Sequence, residues 1–133
     1  MRDARPTPPL DPENSAVLDE GSLAQLRQLD PAGTGGFVQR VLGTYARSLA
    51  QHEADARAAV AAQDWPAFGK IAHTLKSASA SVGALAFSAL CAEIEGGIRR
   101  QELAAVESQA ARFFEEADRV RLAVQAHLGP SAT

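Results

Sequence analysis

The chain has 133 residues, of which 46% are hydrophobic and 22% charged, and its formal net charge is -3 at pH 7. This balance is typical of a single soluble globular domain, and it argues against a disordered chain and against a nucleic-acid module, which needs a dense basic face. The single cysteine, Cys91, excludes an intramolecular disulfide and a cysteine-based zinc cluster. We therefore predict a cytoplasmic protein that binds neither nucleic acid nor a membrane.

Alanine dominates the composition, with 28 copies against five Phe, one Trp and one Tyr. Alanine is the best helix former and a poor filler of a core, whereas sandwiches and barrels are built on aromatic and β-branched residues. The composition therefore predicts closely packed helices.

The two ends of the chain differ from the rest. Residues 1–17 contain Pro6, Pro8, Pro9 and Pro12 and lack an apolar segment of the length that a signal peptide or a membrane span requires. We interpret residues 1–17 as a flexible, proline-rich tail or linker, residues 18–129 as the folded domain, and residues 130–133 as a C-terminal tail.

Five helices are predicted in chain order. A short first helix follows Asp19 and ends before Pro31, and the other four are longer. Their predicted ranges are Phe37 to Ala62, a segment from the Asp64 cap to Val82, Ala84 to Arg100, and Glu102 to Leu128. Because the connections are short, successive long helices should be antiparallel neighbours. The fold class is therefore all-α, an up-and-down four-helix bundle with an additional short N-terminal helix.

The third helix presents a histidine on its polar face. At about 100° per residue, the apolar stripe centres about 330° from Phe68 and His73 lies at about 140°, almost opposite the stripe. Lys70 and Lys76 flank the histidine, about one turn before it and one turn after it. The segment from Ser77 to Ser81 has no long side chain, although serine is an indifferent helix former that a merely solvated face does not favour.

A lone histidine on a helix surface is usually a solvated residue without a role. Here the small residues indicate that another protein approaches closely, and the flanking ammonium groups favour an anion near the ring. Both features suit a histidine that accepts a phosphoryl group, and Lys76 would stabilise the negative charge of that group. The chain has no Gly-rich phosphate loop, no Walker-type lysine and no acidic cluster for Mg²⁺, so it has no means of using ATP itself.

A longer stretch of sequence resembles a known family. Residues 72–84, AHTLKSASASVGA, followed by Leu90-Cys91 and Ile94-Glu95, are similar to the signature of histidine-containing phosphotransfer (HPt) domains. The resemblance implies a helical bundle that relays phosphoryl groups between the aspartates of receiver domains. The implied partners are response-regulator receiver domains and a hybrid sensor kinase. The implied protein is a monomer without a cofactor of its own, and its receiver supplies Mg²⁺.

The resemblance also assigns roles by position. His73 becomes the phosphoacceptor, Lys76 the charge-stabilising lysine, and Glu95 the residue that orients the imidazole from the next helix. Ser77 stands where the family usually has glycine, a small departure that should still allow docking. The residues expected to contact the partner are Lys70, Ser77, Ala80, Ser81 and Arg99.

Other candidates have simpler interpretations. We expect His52 and His127 to be solvated and Cys91 to be a small buried residue. A solvated face is expected at Glu115, Glu116 and Asp118. The side chains expected in the core or at its boundary are Phe113, Phe114, Val120 and Leu122, with partner binding by part of this stripe as the alternative. The competing hypothesis for function is a helical adaptor that binds receivers without carrying phosphate. An enzyme with its own small-molecule substrate has no support beyond the one exposed histidine.

Overall fold

The computed structural model describes residues 17–30, 32 and 36–128, and in these ranges the chain is helical with no strand. The proposed N-terminal tail up to residue 16 and the residues from 129 onward lie outside the described residues. The helices are α1 (Glu20–Gln28), α2 (Phe37–Ala61), α3 (Trp65–Ser81), α4 (Leu85–Arg99) and α5 (Leu103–Leu128). The predicted fold class is confirmed, and the predicted ends of the four long helices lie within one residue of those observed.

The four long helices form a closed ring of neighbours. α3 packs against α2 and α4, α5 packs against the same two helices, and α1 packs against α2. Within the described ranges, no helix combines the length and the apolar character needed to cross a membrane.

Local signals explain where the helices begin. The carboxylate of Asp19 accepts a hydrogen bond of 2.8 Å from the backbone N–H of Ser22, and Asp64 accepts one of 3.2 Å from Ala67. Such N-caps satisfy backbone donors that have no partner inside the helix. Pro66 stands in the first turn of α3, where its missing N–H costs nothing. These caps fix the start of α1 and of α3.

Three phenylalanines form the centre of the core near the start of α3. The ring centroids of Phe68 and Phe87 each lie 5.3 Å from that of Phe113, and all three side chains are fully buried. Trp65 contacts Phe68 with a centroid distance of 6.3 Å. Because α3, α4 and α5 each contribute one ring, the cluster holds these helices together.

Among the described residues, two buried ones are polar, Ser79 and Glu53, and both have hydrogen-bond or ion-pair partners. Tyr45 of α2 and Ser79 of α3 share a hydrogen bond of 2.7 Å, and burial raises the pKa of Tyr45. Glu53 of α2 is 5% exposed and pairs with Arg57 at 3.0 Å and with Arg121 of α5 at 3.1 Å. Burial, together with a hydrogen bond to Asp118, raises the pKa of Glu53. Sequence reasoning did not identify this buried carboxyl.

The turn between α3 and α4 packs against the residue that precedes α1. Gly83 has a φ of +87°, and a Cβ at this position would lie 2.9 Å from both the backbone nitrogen and the backbone oxygen of Asp19. The backbone N–H of Asp19 donates to the carbonyl of Gly83 at 2.8 Å. Only glycine allows both this conformation and this close approach.

Several expectations about single residues need correction. Leu122 is 71% exposed, because the buried stripe of α5 runs through Val120 and Val124 and leaves Leu122 between them on the outside. Val17, which we placed at the end of the tail, is only 2% exposed and belongs to the core. His52 is half-buried, and its Nδ1 lies 2.8 Å from the carbonyl oxygen of Ser48, so it is not simply solvated.

The acidic face on α5 is likewise only partly solvated. Glu116 has a side chain that is 18% exposed and pairs with Arg119 at 3.1 Å. Glu115 is exposed. Asp118 is exposed and pairs with Arg121, so it joins the cluster around Glu53. The expectations for His127, which is exposed, and for Cys91, which is buried, are confirmed.

Candidate functional site

His73 projects from the middle of α3 on the face opposite the core. The buried positions of α3 are Phe68, Ala72, Leu75 and Ser79. This spacing of three and four residues defines one helical stripe and leaves position 73 outside it. The side chain of His73 is 66% exposed, so the predicted exposure of the imidazole is confirmed.

Glu95 of α4 contacts the imidazole. Its Oε2 atom lies 2.7 Å from Nδ1 of His73, and its side chain is 20% exposed. A carboxylate only accepts hydrogen bonds, so Nδ1 carries the hydrogen and, in the neutral ring, Nε2 carries the lone pair. The hydrogen bond from Lys76, and secondarily that from His73, lowers the pKa of Glu95, which therefore stays ionised at neutral pH.

Lys76 binds the second oxygen of the same carboxylate. Its Nζ donates to Oε1 of Glu95 at 2.8 Å, and its side chain is 36% exposed. The carbonyl of Lys76 accepts a hydrogen bond of 2.7 Å from the hydroxyl of Ser88 on α4. Sequence reasoning placed Lys76 beside the histidine but did not identify its pairing with Glu95, because the side-chain conformation depends on how α3 and α4 pack.

The structure brings the three residues that were given chemical roles into one cluster. His73 and Lys76 of α3 both bind the carboxylate of Glu95, which thereby links α3 to α4. The ammonium of Lys76 and the carboxylate of Glu95 compensate one another in charge. The cluster can therefore hold one edge of an imidazole in a fixed orientation while the other edge faces solvent.

The residues expected to contact a partner surround this cluster on the exterior. Lys70, Ser77, Ala80 and Ser81 are exposed on α3, and Arg99 is exposed on α4. The hydroxyl of Ser81 donates to the carbonyl of Ser77 at 3.1 Å. This bond keeps the side chain of Ser81 against its own helix, so Ser81 does not protrude from the surface next to the histidine.

Ser88 is a positioning residue that sequence reasoning missed. It is half-buried, and its hydroxyl links α4 to the backbone of α3 at Lys76. The signal available in the sequence was a serine inside an otherwise apolar helix, which favours a side-chain hydrogen bond to a backbone group. In the described ranges, no group of three or more His, Cys, Asp or Glu side chains is placed to hold a metal ion.

Comparisons with known proteins identify the family and support the fold. The family model of the Hpt domain matches residues 40–127. A solved structure, that of histidine-containing phosphotransfer protein B from Pseudomonas aeruginosa PAO1, superposes with a TM-score of 0.76 at 24% sequence identity. The match covers 86% of this chain and 96% of that one. A search of curated proteins gave no match.

Proposed function

Because the chain belongs to the Hpt domain family, the histidine phosphotransfer modules of phosphorelays, we propose that it carries phosphoryl groups between receiver domains on His73. The observation that carries the proposal is the geometry of the ring. Glu95 occupies Nδ1, while Nε2 has no protein partner among the described residues and belongs to a side chain that is 66% exposed. The nucleophilic nitrogen is thus the one that a partner can reach.

The proposed step is attack on the acyl phosphate of a receiver aspartate. The lone pair of Nε2 forms the bond to phosphorus, the bond between phosphorus and the aspartyl oxygen breaks, and the receiver carboxylate leaves with that electron pair. The hydrogen on Nδ1 stays in its bond to Glu95. The reverse step, with a second receiver, returns the phosphoryl group to a carboxylate.

In the proposal, this chain supplies orientation and charge compensation. Lys76 lies one turn from His73, so its ammonium, while still bonded to Glu95, adds positive charge beside the ring that receives the phosphoryl group. Mg²⁺ and the remaining catalytic groups come from the receiver.

The partner surface consists of the exposed residues Lys70, Ser77, Ala80, Ser81 and Arg99 around the histidine. Small side chains next to His73 let a receiver bring its aspartate close to the ring. The proposed partners are response-regulator receivers and a hybrid sensor kinase, and the protein acts as a cytoplasmic monomer. The single hydroxymethyl group of Ser77 narrows the approach slightly compared with glycine and still leaves the ring accessible.

The test is incubation with a phosphorylated receiver. We expect acid-labile, base-stable label on the wild-type chain and none on His73→Gln. The matched control is His127→Gln, which removes another exposed histidine from the end of α5 and should keep the label. Receiver binding without any label on the wild-type chain would contradict the proposal and favour the adaptor hypothesis.

A further inference from the structure

Glu95 contacts the proton-bearing edge of the ring whether or not Nε2 is occupied. The 2.7 Å contact joins its Oε2 to Nδ1, and a phosphoryl group on Nε2 would sit on the other edge of the imidazole. The carboxylate also accepts, at its other oxygen Oε1, a hydrogen bond of 2.8 Å from Nζ of Lys76. It is therefore fixed in position independently of the histidine, and phosphorylation does not require it to leave.

The proton on Nδ1 decides how well the ring leaves phosphorus. When Nδ1 is protonated, the phosphorylated ring is a cation. Cleavage of the P–N bond then returns the electron pair to Nε2 and releases a neutral imidazole, while the phosphoryl group passes to the receiver carboxylate. When Nδ1 has lost its proton, the same cleavage must release an imidazolate anion, which is a much poorer leaving group.

We infer that Glu95 is a positioning residue that keeps the proton on Nδ1 of the phosphorylated ring, so that His73 returns its phosphoryl group as a neutral imidazole at and above neutral pH. This inference rests on the proposed phosphoacceptor role of His73. An amide at position 95 could orient the ring through the same hydrogen bond, but it has no charge with which to stabilise the cation. The role therefore belongs to the carboxylate.

The charges around the ring favour Glu95 as the source of this effect. On α3, Lys70 and Lys76 are cations and oppose protonation of the ring, and on α4 Arg99 does the same from one turn beyond Glu95. On α2, His52 and Asp55 are titratable groups near the middle of that helix, and both make contacts within α2. His52 bonds to Ser48, and Asp55 accepts a hydrogen bond from Gln51. Among the described residues, Glu95 is the anion in contact with the imidazole.

The experiment compares wild type, Glu95→Gln and the control Glu93→Gln. Glu93 is exposed on the same helix, and its side chain bonds to Gln109 of α5, so its removal changes the net charge equally without touching the ring. Each protein is phosphorylated with phosphoramidate, a small-molecule donor that needs no receiver. The ³¹P chemical shift is then followed between pH 5.5 and 9, and phosphoryl transfer to one receiver is timed at the same pH values, with circular dichroism as a check of folding.

An opposite charge in contact shifts a protonation midpoint by about one to three pH units. We therefore expect the ³¹P midpoint of Glu95→Gln to lie about one pH unit or more below that of wild type. Transfer by Glu95→Gln should be within about threefold of wild type at pH 6 and about tenfold slower at pH 8.5, with Glu93→Gln matching wild type throughout. Because the same receiver is used for both proteins, dividing the transfer rate of Glu95→Gln by that of wild type at each pH removes the receiver's own pH dependence.

The possible failures are distinguishable. If Glu95→Gln is phosphorylated on His73 but its ³¹P midpoint and rate ratio do not change with pH relative to wild type, the inference is overturned and the proposed function stands. If wild type takes up no phosphoryl group on His73 from phosphoramidate or from a receiver, the proposed function fails and the inference fails with it.

Discussion

At Gly97, α4 leaves no room for a side chain against α5, and its replacement by alanine tests the packing that places Glu95. A Cβ at position 97 would lie 2.9 Å from Cγ2 of Val106, a fully buried side chain on α5. Valine is short and branched, so it cannot swing away as a long side chain would. Either Val106 leaves its preferred rotamer or the two helices separate.

Gly43 of α2 provides a matched control for this substitution. A Cβ at that position would meet only the end of the Arg47 side chain, at 3.7 Å. Replacing glycine by alanine inside a helix stabilises the folded state by about 0.8–1 kcal/mol through helix propensity. Overpacking a tight site costs about 1–3 kcal/mol. Since both variants share the propensity gain, the difference between their free energies of unfolding isolates the overpacking cost and should be about 1–3 kcal/mol.

Urea unfolding of both variants, followed by circular dichroism, measures this difference. Gly43→Ala should unfold at a higher urea concentration than wild type, and Gly97→Ala should unfold at a lower concentration than Gly43→Ala, with the same slope in both transitions. If Gly97→Ala stabilised the protein as much as Gly43→Ala, α4 and α5 could not be packed as closely at Gly97 as they are in the structure.

Two further predictions concern the core and its single thiol. Leu75→Ala removes a fully buried side chain and should lower the free energy of unfolding by about 2–5 kcal/mol in urea, whereas His73→Ala, two residues away on the exposed face, should change it by no more than about 0.5 kcal/mol. A large loss of stability in the histidine variant would place that side chain in the core. Burial raises the pKa of Cys91 to about 12, so the native thiol should resist iodoacetamide at pH 8.5 and react once the protein is unfolded in urea. Since this pKa is raised in the folded state, the thiol's contribution to stability is present below pH 9 and declines as the pH rises toward 12.

Much of the fold could be predicted because the sequence marks it locally. Asp19 and Asp64 act as caps, Pro66 opens a helix, and Gly83 ends one, so the helix boundaries depend on near neighbours alone. The exposure of His73 followed from the same local periodicity. A helical wheel needs no knowledge of the neighbouring helix to separate the two faces.

The contacts between helices could not be predicted in the same way. Lys76 is one turn from His73 in the sequence, yet its ammonium binds Glu95, because the packing of α3 on α4 puts the carboxylate within reach of both. The burial of Glu53 was not predicted either, because one of its partners, Arg121, comes from a different helix, α5. Leu122 is a different case: it was assigned by its apolar type alone, although a helical wheel places it about 180° from the buried Phe113.

The backbone contact between Asp19 and Gly83 has a consequence for the order of folding. It joins residues far apart in the sequence, so the chain must close a long loop before the contact contributes to stability. The ring of α2 to α5 is held by its own buried side chains, whereas α1 buries a single residue, Leu23. We therefore expect α1 to dock late in folding and to open first in the native state, and its amide hydrogens to exchange with solvent faster than those around Leu75.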